Sequence, residues 1–218
     1  MTARNLFLVQ NQAGLPRILN ACTAAQEYAL TQAAVNYFES LGIVHYISSG
    51  TALGLCRHGG IIPWDDDIDL FIAPEHTEIL RQAFESGDFT RHTGLEWGWD
   101  DNTMGWRVYR GDGGDTHKIL GDAKFPFLDL FTSVRDEKTG RVTYRSNLMH
   151  AWAPQEYFTE EEWTNWKWYD FGPIQLRGPQ NLDDYFKRAF GEPAQDLAYL
   201  LYHHVDFDVK KWPQRVIV

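Results

Sequence analysis

The stretch Gly59-Gly60-Ile61-Ile62-Pro63-Trp64-Asp65-Asp66-Asp67-Ile68-Asp69-Leu70-Phe71 decides the fold of this chain. Two glycines and a proline punctuate the backbone, and residues 66–73 then read as a strand. Alternate side chains of a strand share one face, about 7 Å apart. Asp65, Asp67 and Asp69 therefore share a face, with Asp66 and Ile68 on the other. At an effective dielectric near 20, two carboxylates at that spacing repel by roughly 2–3 kcal/mol. Strands also disfavour aspartate. Two readings stand: a solvated acidic turn after a proline, or carboxylates balanced by a cation. Oxygen-only ligands suit Mg²⁺ or Mn²⁺, and Mg²⁺ is commonly shared with substrate phosphates.

The residues upstream favour the cation. The apolar run 42–47 leads into Ser48-Ser49-Gly50-Thr51-Ala52-Leu53-Gly54, a strand ending in a small-residue turn that opens a helix. Backbone N–H groups at such a start can hold phosphate oxygens. Downstream, Asp129 is a lone charge in Phe125-Pro126-Phe127-Leu128-Asp129-Leu130-Phe131. If buried, it must be paired, protonated or metal-bound. A structural partner such as an arginine or a helix start could satisfy it; given the companion Asp65–Asp69 cluster, a functional role is favoured.

The remaining pattern describes an α+β domain, a mixed sheet flanked by helices, with a mainly helical C-terminal part. Apolar residues at helical spacing cover 22–41, and Gly42 stops that helix. A strand over Val44–Ile47, a short helix over 51–58 and a helix over Glu75–Glu85 behind Pro74 follow. Phe89–Leu95, Met104–Tyr109, Phe127–Thr132 and Val142–Tyr144 read as strands, and Glu160–Trp166 and Leu182–Phe190 as helices. In Trp106-Arg107-Val108-Tyr109-Arg110, Arg107 and Tyr109 share one face. With 218 residues, one domain over 1–218 is expected, its core about 22–135 and a helical, aromatic part about 150–218.

Residues Ser49 through Asp69, SGTALGLCRHGGIIPWDDDID, resemble the signature of the LicD family. That family includes bacterial phosphocholine transferases and is similar to fukutin and fukutin-related protein, the ribitol-phosphate transferases. Phe127-Leu128-Asp129-Leu130-Phe131 resembles its later apolar-Asp-apolar strand. Residues 171–174, Pro179, 184–186 and 190–191 are similar to its C-terminal end. The resemblance implies a nucleotidyltransferase-type fold and transfer of a phospho-alcohol from a CDP-activated donor to a glycan or glycolipid hydroxyl. It places Gly50 and Thr51 at the donor-phosphate turn. It gives Asp65, Asp67, Asp69 and Asp129 catalytic and metal-binding roles toward Mg²⁺ or Mn²⁺. Arg57, Arg107 and Lys118 are further candidates for donor phosphate, each with an ordinary alternative as an ion pair or solvated charge.

Composition narrows the partners. A net charge of −10 argues against a general nucleic-acid binder, which needs basic patches. No apolar run reaches the ~20 residues of a membrane span, and the N-terminal apolar stretch is too short for a secretory signal. Cys22 and Cys56 form no CxxC pair, and a cytoplasmic, reducing setting is expected. The histidines show no zinc spacing. Nine tryptophans among 32 aromatics, with Trp163, Trp166, Trp168, Tyr169 and Phe171 closely spaced, are enough for a sugar-stacking wall as well as a core. Two other function classes therefore stay open: nucleotidyl transfer from an NTP to a protein, RNA or small molecule, and non-catalytic glycan binding.

Overall fold

The structure is a computed structural model that describes residues 21–63, 65, 67–113, 124–191, 197–200 and 214–217. Helix α1 (Ala21–Ser40) is followed by strand β1 (His45–Ile47), helix α2 (Ser49–His58) and strand β2 (Asp67–Ile72). Helices α3 (Thr77–Glu85) and α4 (Asp88–Thr93) lead to β3 (Leu95–Asp100), β4 (Gly105–Arg110) and β5 (Phe127–Arg135). Then come β6 (Val142–Tyr144), α5 (Asn147–Trp152), β7 (Tyr157–Phe158) and α6 (Glu160–Thr164). The hairpin β8 (Trp166–Phe171) and β9 (Ile174–Pro179) and helix α7 (Asp183–Phe190) complete the packed part. A last pair, β10 (Leu197–Leu200) and β11 (Gln214–Ile217), runs antiparallel.

The main sheet has the order β1-β2-β5-β4-β3, with β6 and β7 appended to β5. Only β2 and β5 run parallel; their neighbours are antiparallel, so the sheet is mixed. One face carries Ile68, Leu70, Leu128, Leu130, Val108 and Trp106, all buried. These pack beneath helices α1, α3 and α4, whose Phe38, Phe84 and Phe89 are also buried. Burying each such side chain stabilises the fold by about 1.5–3 kcal/mol, which is what holds three helices on one face. The other face is aromatic at one end, where Phe71, Phe131, Tyr144, Phe158 and Tyr185 meet. At its other end it is acidic.

Two local expectations change. Residues 88–93 form helix α4 rather than the start of a strand, because Gly87 (φ 73) and Gly94 (φ 71) bracket one helical segment that buries only Phe89. The strand begins at Leu95. The C-terminal part mixes its two expected helices with a hairpin over 166–179, in which Trp166 is a strand residue. There Arg177 lies over both Trp166 and Trp168, at 4.4 and 5.0 Å, and stiffens the pair. Trp163 and Phe171 belong to the core, whereas Trp166 and Trp168 face outward. Among the described residues, no helix is long and apolar enough to cross a membrane.

Buried His45 in β1 gives the fold a pH signature. Its Nδ1 lies 3.2 Å from the Ile43 carbonyl oxygen, and burial lowers its pKa to about 4. The unfolded chain therefore takes up a proton near pH 6.5 that the folded one refuses until about pH 4. The contribution is complete above pH 6.5 and is lost as pH falls through that window. The stability advantage of the native chain over His45→Asn is expected to shrink by about 2 kcal/mol between pH 7 and pH 5. Urea unfolding of both proteins at the two pH values measures it; a constant difference contradicts the assignment.

Candidate active site

The parallel pairing of β2 and β5 sets Asp69 opposite Asp129, and β4 sets Arg107 opposite Asp129 on the other side. Asp67 lies two residues before Asp69 on the same face of β2, and the two strands thus deliver three carboxylates to one point. An oxygen from each of Asp67, Asp69 and Asp129 lies within 4.8 Å of the others, and all three residues are buried at 7–8% exposure. At that separation each pair repels by roughly 3–4 kcal/mol at an effective dielectric of 20. Arg107 offsets part of this: its Nε lies 3.2 Å from Asp129 Oδ1, and its terminal nitrogen 2.6 Å from Asp100 Oδ2. One guanidinium shared between two carboxylates cannot balance the trio. Burial first, then Asp67, Asp65 and Asp129, raise the Asp69 pKa well above the ordinary carboxylate range. A close-set, all-oxygen, over-negative donor group fits a hard divalent cation such as Mg²⁺ or Mn²⁺.

The turn that opens α2 lies against this group. The Asp69 N–H donates to Thr51 Oγ1 at 2.6 Å, and the Ser48 N–H donates to the Asp69 carbonyl at 3.2 Å. The helix start is thereby stitched to the acidic strand. Thr51 is buried, and its hydroxyl oxygen accepts from β2. Asp65 precedes β2 and is half-buried, so a bend rather than the pleat brings it to the others. A Cβ on Gly50 would lie 2.7 Å from Asp65 Oδ2 and 3.4 Å from Asp69 Oδ2. Only glycine lets those carboxylates rest on the helix start.

The other candidates sit differently. Arg57 is buried near the C-terminal end of α2, roughly 10 Å along the axis from Gly50, and burial lowers its pKa to about 10. Arg107 is fixed between Asp100 and Asp129. Lys118, together with Trp64 and Asp66, falls outside the described residues.

One group has no signal in the sequence. Glu156 is a buried carboxylate that accepts hydrogen bonds from Tyr144, from Tyr185 at 3.1 Å and from Ser49 Oγ at 3.0 Å. Burial raises its pKa. Tyr185 in turn accepts the Ser49 N–H at 3.2 Å. Ser49 has φ 44, a left-handed conformation that costs a non-glycine residue of order 1 kcal/mol. The Glu156 cluster thus holds the first residue of α2 in a conformation it would not keep alone. Its members come from positions 49, 144, 156 and 185, and no local spacing links them. Tyr185→Phe strands the Ser49 N–H and one Glu156 oxygen, and should lower stability by about 1–3 kcal/mol. A urea midpoint unchanged within error would show that water replaces the hydroxyl.

Carboxylates on two paired strands thus face a glycine turn that opens a helix. Residues 42–181 match the family described as LicD/FKTN/FKRP, nucleotidyltransferase domain, and the chain belongs to it. It is 29% identical over 153 residues to the uncharacterized protein RP689 of Rickettsia prowazekii, covering 69% of this chain and 48% of that protein. It is 41% identical over 66 residues to ribitol 5-phosphate transferase FKRP of Homo sapiens, covering 29% of this chain and 13% of that protein. The chain thus spans less than half the length of these relatives. Among solved structures, the lincosamide antibiotic adenylyltransferase LnuA superposes over 85% of this chain and 94% of its own, with a TM-score of 0.45 and 14% identity.

Proposed function

We propose that this protein transfers a phospho-alcohol from a CDP-activated donor to the hydroxyl of a glycan or glycolipid. The observation that carries the reading is the convergence of Asp67, Asp69 and Asp129 beside the Gly50 turn. Family membership and the FKRP and FKTN relatives, both ribitol-phosphate transferases by name, support the phosphorus chemistry.

Asp67, Asp69 and Asp129 would hold one or two Mg²⁺ or Mn²⁺ ions, which when bound supply charge neutralisation at the donor's diphosphate. The protein's own residues do the rest. The Gly50 and Thr51 backbone, at the positive end of α2, orients the donor phosphates. Arg107 holds Asp129 in place. We assign to Asp65, outside the trio, acceptance of the attacking hydroxyl's proton, because Asp129 is tied to Arg107. The acceptor oxygen attacks phosphorus, the phospho-alcohol moves to it, and CMP leaves.

The test is a panel of CDP-alcohols and NTPs incubated with Mg²⁺ or Mn²⁺, with leaving groups identified by mass. CMP released from a CDP-alcohol, and lost in both Asp67→Ala and Asp69→Ala with folding intact, is the expected result. Pyrophosphate from an NTP would instead assign nucleotidyl transfer to the same carboxylates. Binding of a glycan without metal dependence or turnover of any donor would leave a recognition module.

A further inference from the structure

A cavity lined by described residues lies on the sheet face opposite the carboxylates. It occupies about 490 Å³ between α3 and the edge strand β3. Strand alternation fixes the side: Trp106 and Arg107 are adjacent in β4 and point to opposite faces. Trp97 and Trp99, two residues apart on β3, share the Trp106 face, and Trp99 is paired with Trp106.

Two things about this groove are unusual. Trp99 is 43% exposed, yet it is held still. Its Nε1 donates to Asp101 Oδ1 at 2.8 Å, and its ring meets Trp106 at 5.1 Å in an edge contact. Behind it, Trp97 stacks on Phe84 of α3 at 5.1 Å. Secondly, the polar rim is equally fixed. Glu78, Arg81 and Glu85 form one stripe along α3, with Arg81 donating to Glu78 at 2.8 and 2.6 Å and also to Glu85. Side chains already arranged by such contacts leave a ligand less to order. The Trp166–Trp168 surface differs, because Arg177 already covers both rings. Among the described residues, no cation lies over Trp97 or Trp99.

We infer that this groove is a binding site for a neutral sugar ring. The occupant follows from charge and shape. Arg81 and Arg145 balance Glu78 and Glu85, so the lining offers no net charge to a phosphate or to a quaternary ammonium. The exposed face of Trp99 suits the apolar C–H face of a pyranose. Beside it, the carboxylates of Glu78 and Glu85 and the guanidinium of Arg81 offer acceptors and donors to sugar hydroxyls. The cavity volume suits one or two sugar units. Lying on the far face of the sheet, the groove serves to retain a glycan chain rather than to present its reacting hydroxyl. Sugar binding here needs neither metal nor donor; only the role of retaining an acceptor chain rests on the proposed transfer.

The full chain, titrated with glucose, galactose, mannose, N-acetylglucosamine and their β-linked trimers, provides the test. Intrinsic tryptophan fluorescence and saturation-transfer NMR report binding. At least one saccharide should bind saturably, with a Kd on the order of millimolar. Trp99→Ala should weaken it at least about ten-fold, while Asp67→Ala leaves it unchanged and so separates this site from the acidic one. Trp99 is a surface residue, and a thermal melt checks that its variant is folded. No saccharide binding, binding indifferent to Trp99→Ala, or displacement by phosphate or choline would each overturn the assignment.

Discussion

Asp69→Asn is expected to abolish metal-dependent turnover and, at the same time, to stabilise the metal-free protein. The first effect follows from position. Asp69 is the central carboxylate of the cluster, opposite Asp129 in the parallel register and two residues from Asp67. On the proposed reading, losing one of three anionic ligands would remove several kcal/mol of charge stabilisation, on the order of 10³-fold in rate or more. The second effect follows from its pKa, which burial and the neighbouring aspartates raise. A carboxylate with a raised folded pKa holds its proton more tightly folded than unfolded. The metal-free fold therefore loses stability as pH climbs from the ordinary carboxylate range through the raised value. At neutral pH the buried charge is a cost that asparagine removes while keeping size and hydrogen bonding. A gain of about 1 kcal/mol, or roughly 2–4 °C in Tm for a chain of this size, is expected. Mg²⁺ or Mn²⁺ should raise the Tm of the native chain and leave that of the variant in place. Thermal melts with and without metal, beside a CMP-release assay, measure all three. A variant less stable than the metal-free native chain, or one still turning over, would show that the cluster serves structure.

Gly54→Ala is expected to be the most damaging small substitution in α2. A Cβ there would lie 2.5 Å from the Gly60 carbonyl oxygen and 3.2 Å from the Ile62 N–H nitrogen. Both obstacles are backbone and cannot rotate away. The loop over 59–62 folds back on the helix at this point: Gly59 caps α2 with φ 65, and the Gly60 N–H approaches the Gly54 carbonyl at 3.4 Å. The same loop leads into Asp65 and β2, so displacing it moves the carboxylates away from the Gly50 turn. Overpacking against backbone costs about 3 kcal/mol or more, a fall of roughly 6–12 °C in Tm. Turnover should fall with it even at temperatures where the variant is folded, because the loop carries the site's geometry. A melt within 2 °C of the native chain's, or full activity, would mean that the loop accommodates a methyl group without moving the acids.

Part of this architecture is readable from local chemistry, and the rest depends on residues distant in sequence. The acidic strand, the helix-opening turn, α1, β4 and β5 follow from short-range periodicity, and the turn residues within them obey local steric rules. Residues 88–93 escape that reading because six residues carry too few apolar positions to separate a helical from an extended period. Two glycines with positive φ make the decision instead. The hairpin over 166–179 is missed because its aromatic residues fit a helical face as well as a strand, and pairing with a partner strand breaks the tie.

For the site, residue type alone marked Asp67, Asp69 and Asp129 as charges needing a counterpart, since burying carboxylate is costly wherever it happens. That the three meet within 4.8 Å was decided by the parallel register of β2 with β5, a pairing across some sixty residues. The same pairing across β4 turned Arg107 from a free-looking cation into the partner of Asp129. Glu156 became visible only when Tyr144, Tyr185 and Ser49 closed around it. Charge and backbone freedom are properties of single residues and can be read one at a time; neutralisation and burial are properties of neighbours, and in this protein the sheet chooses the neighbours.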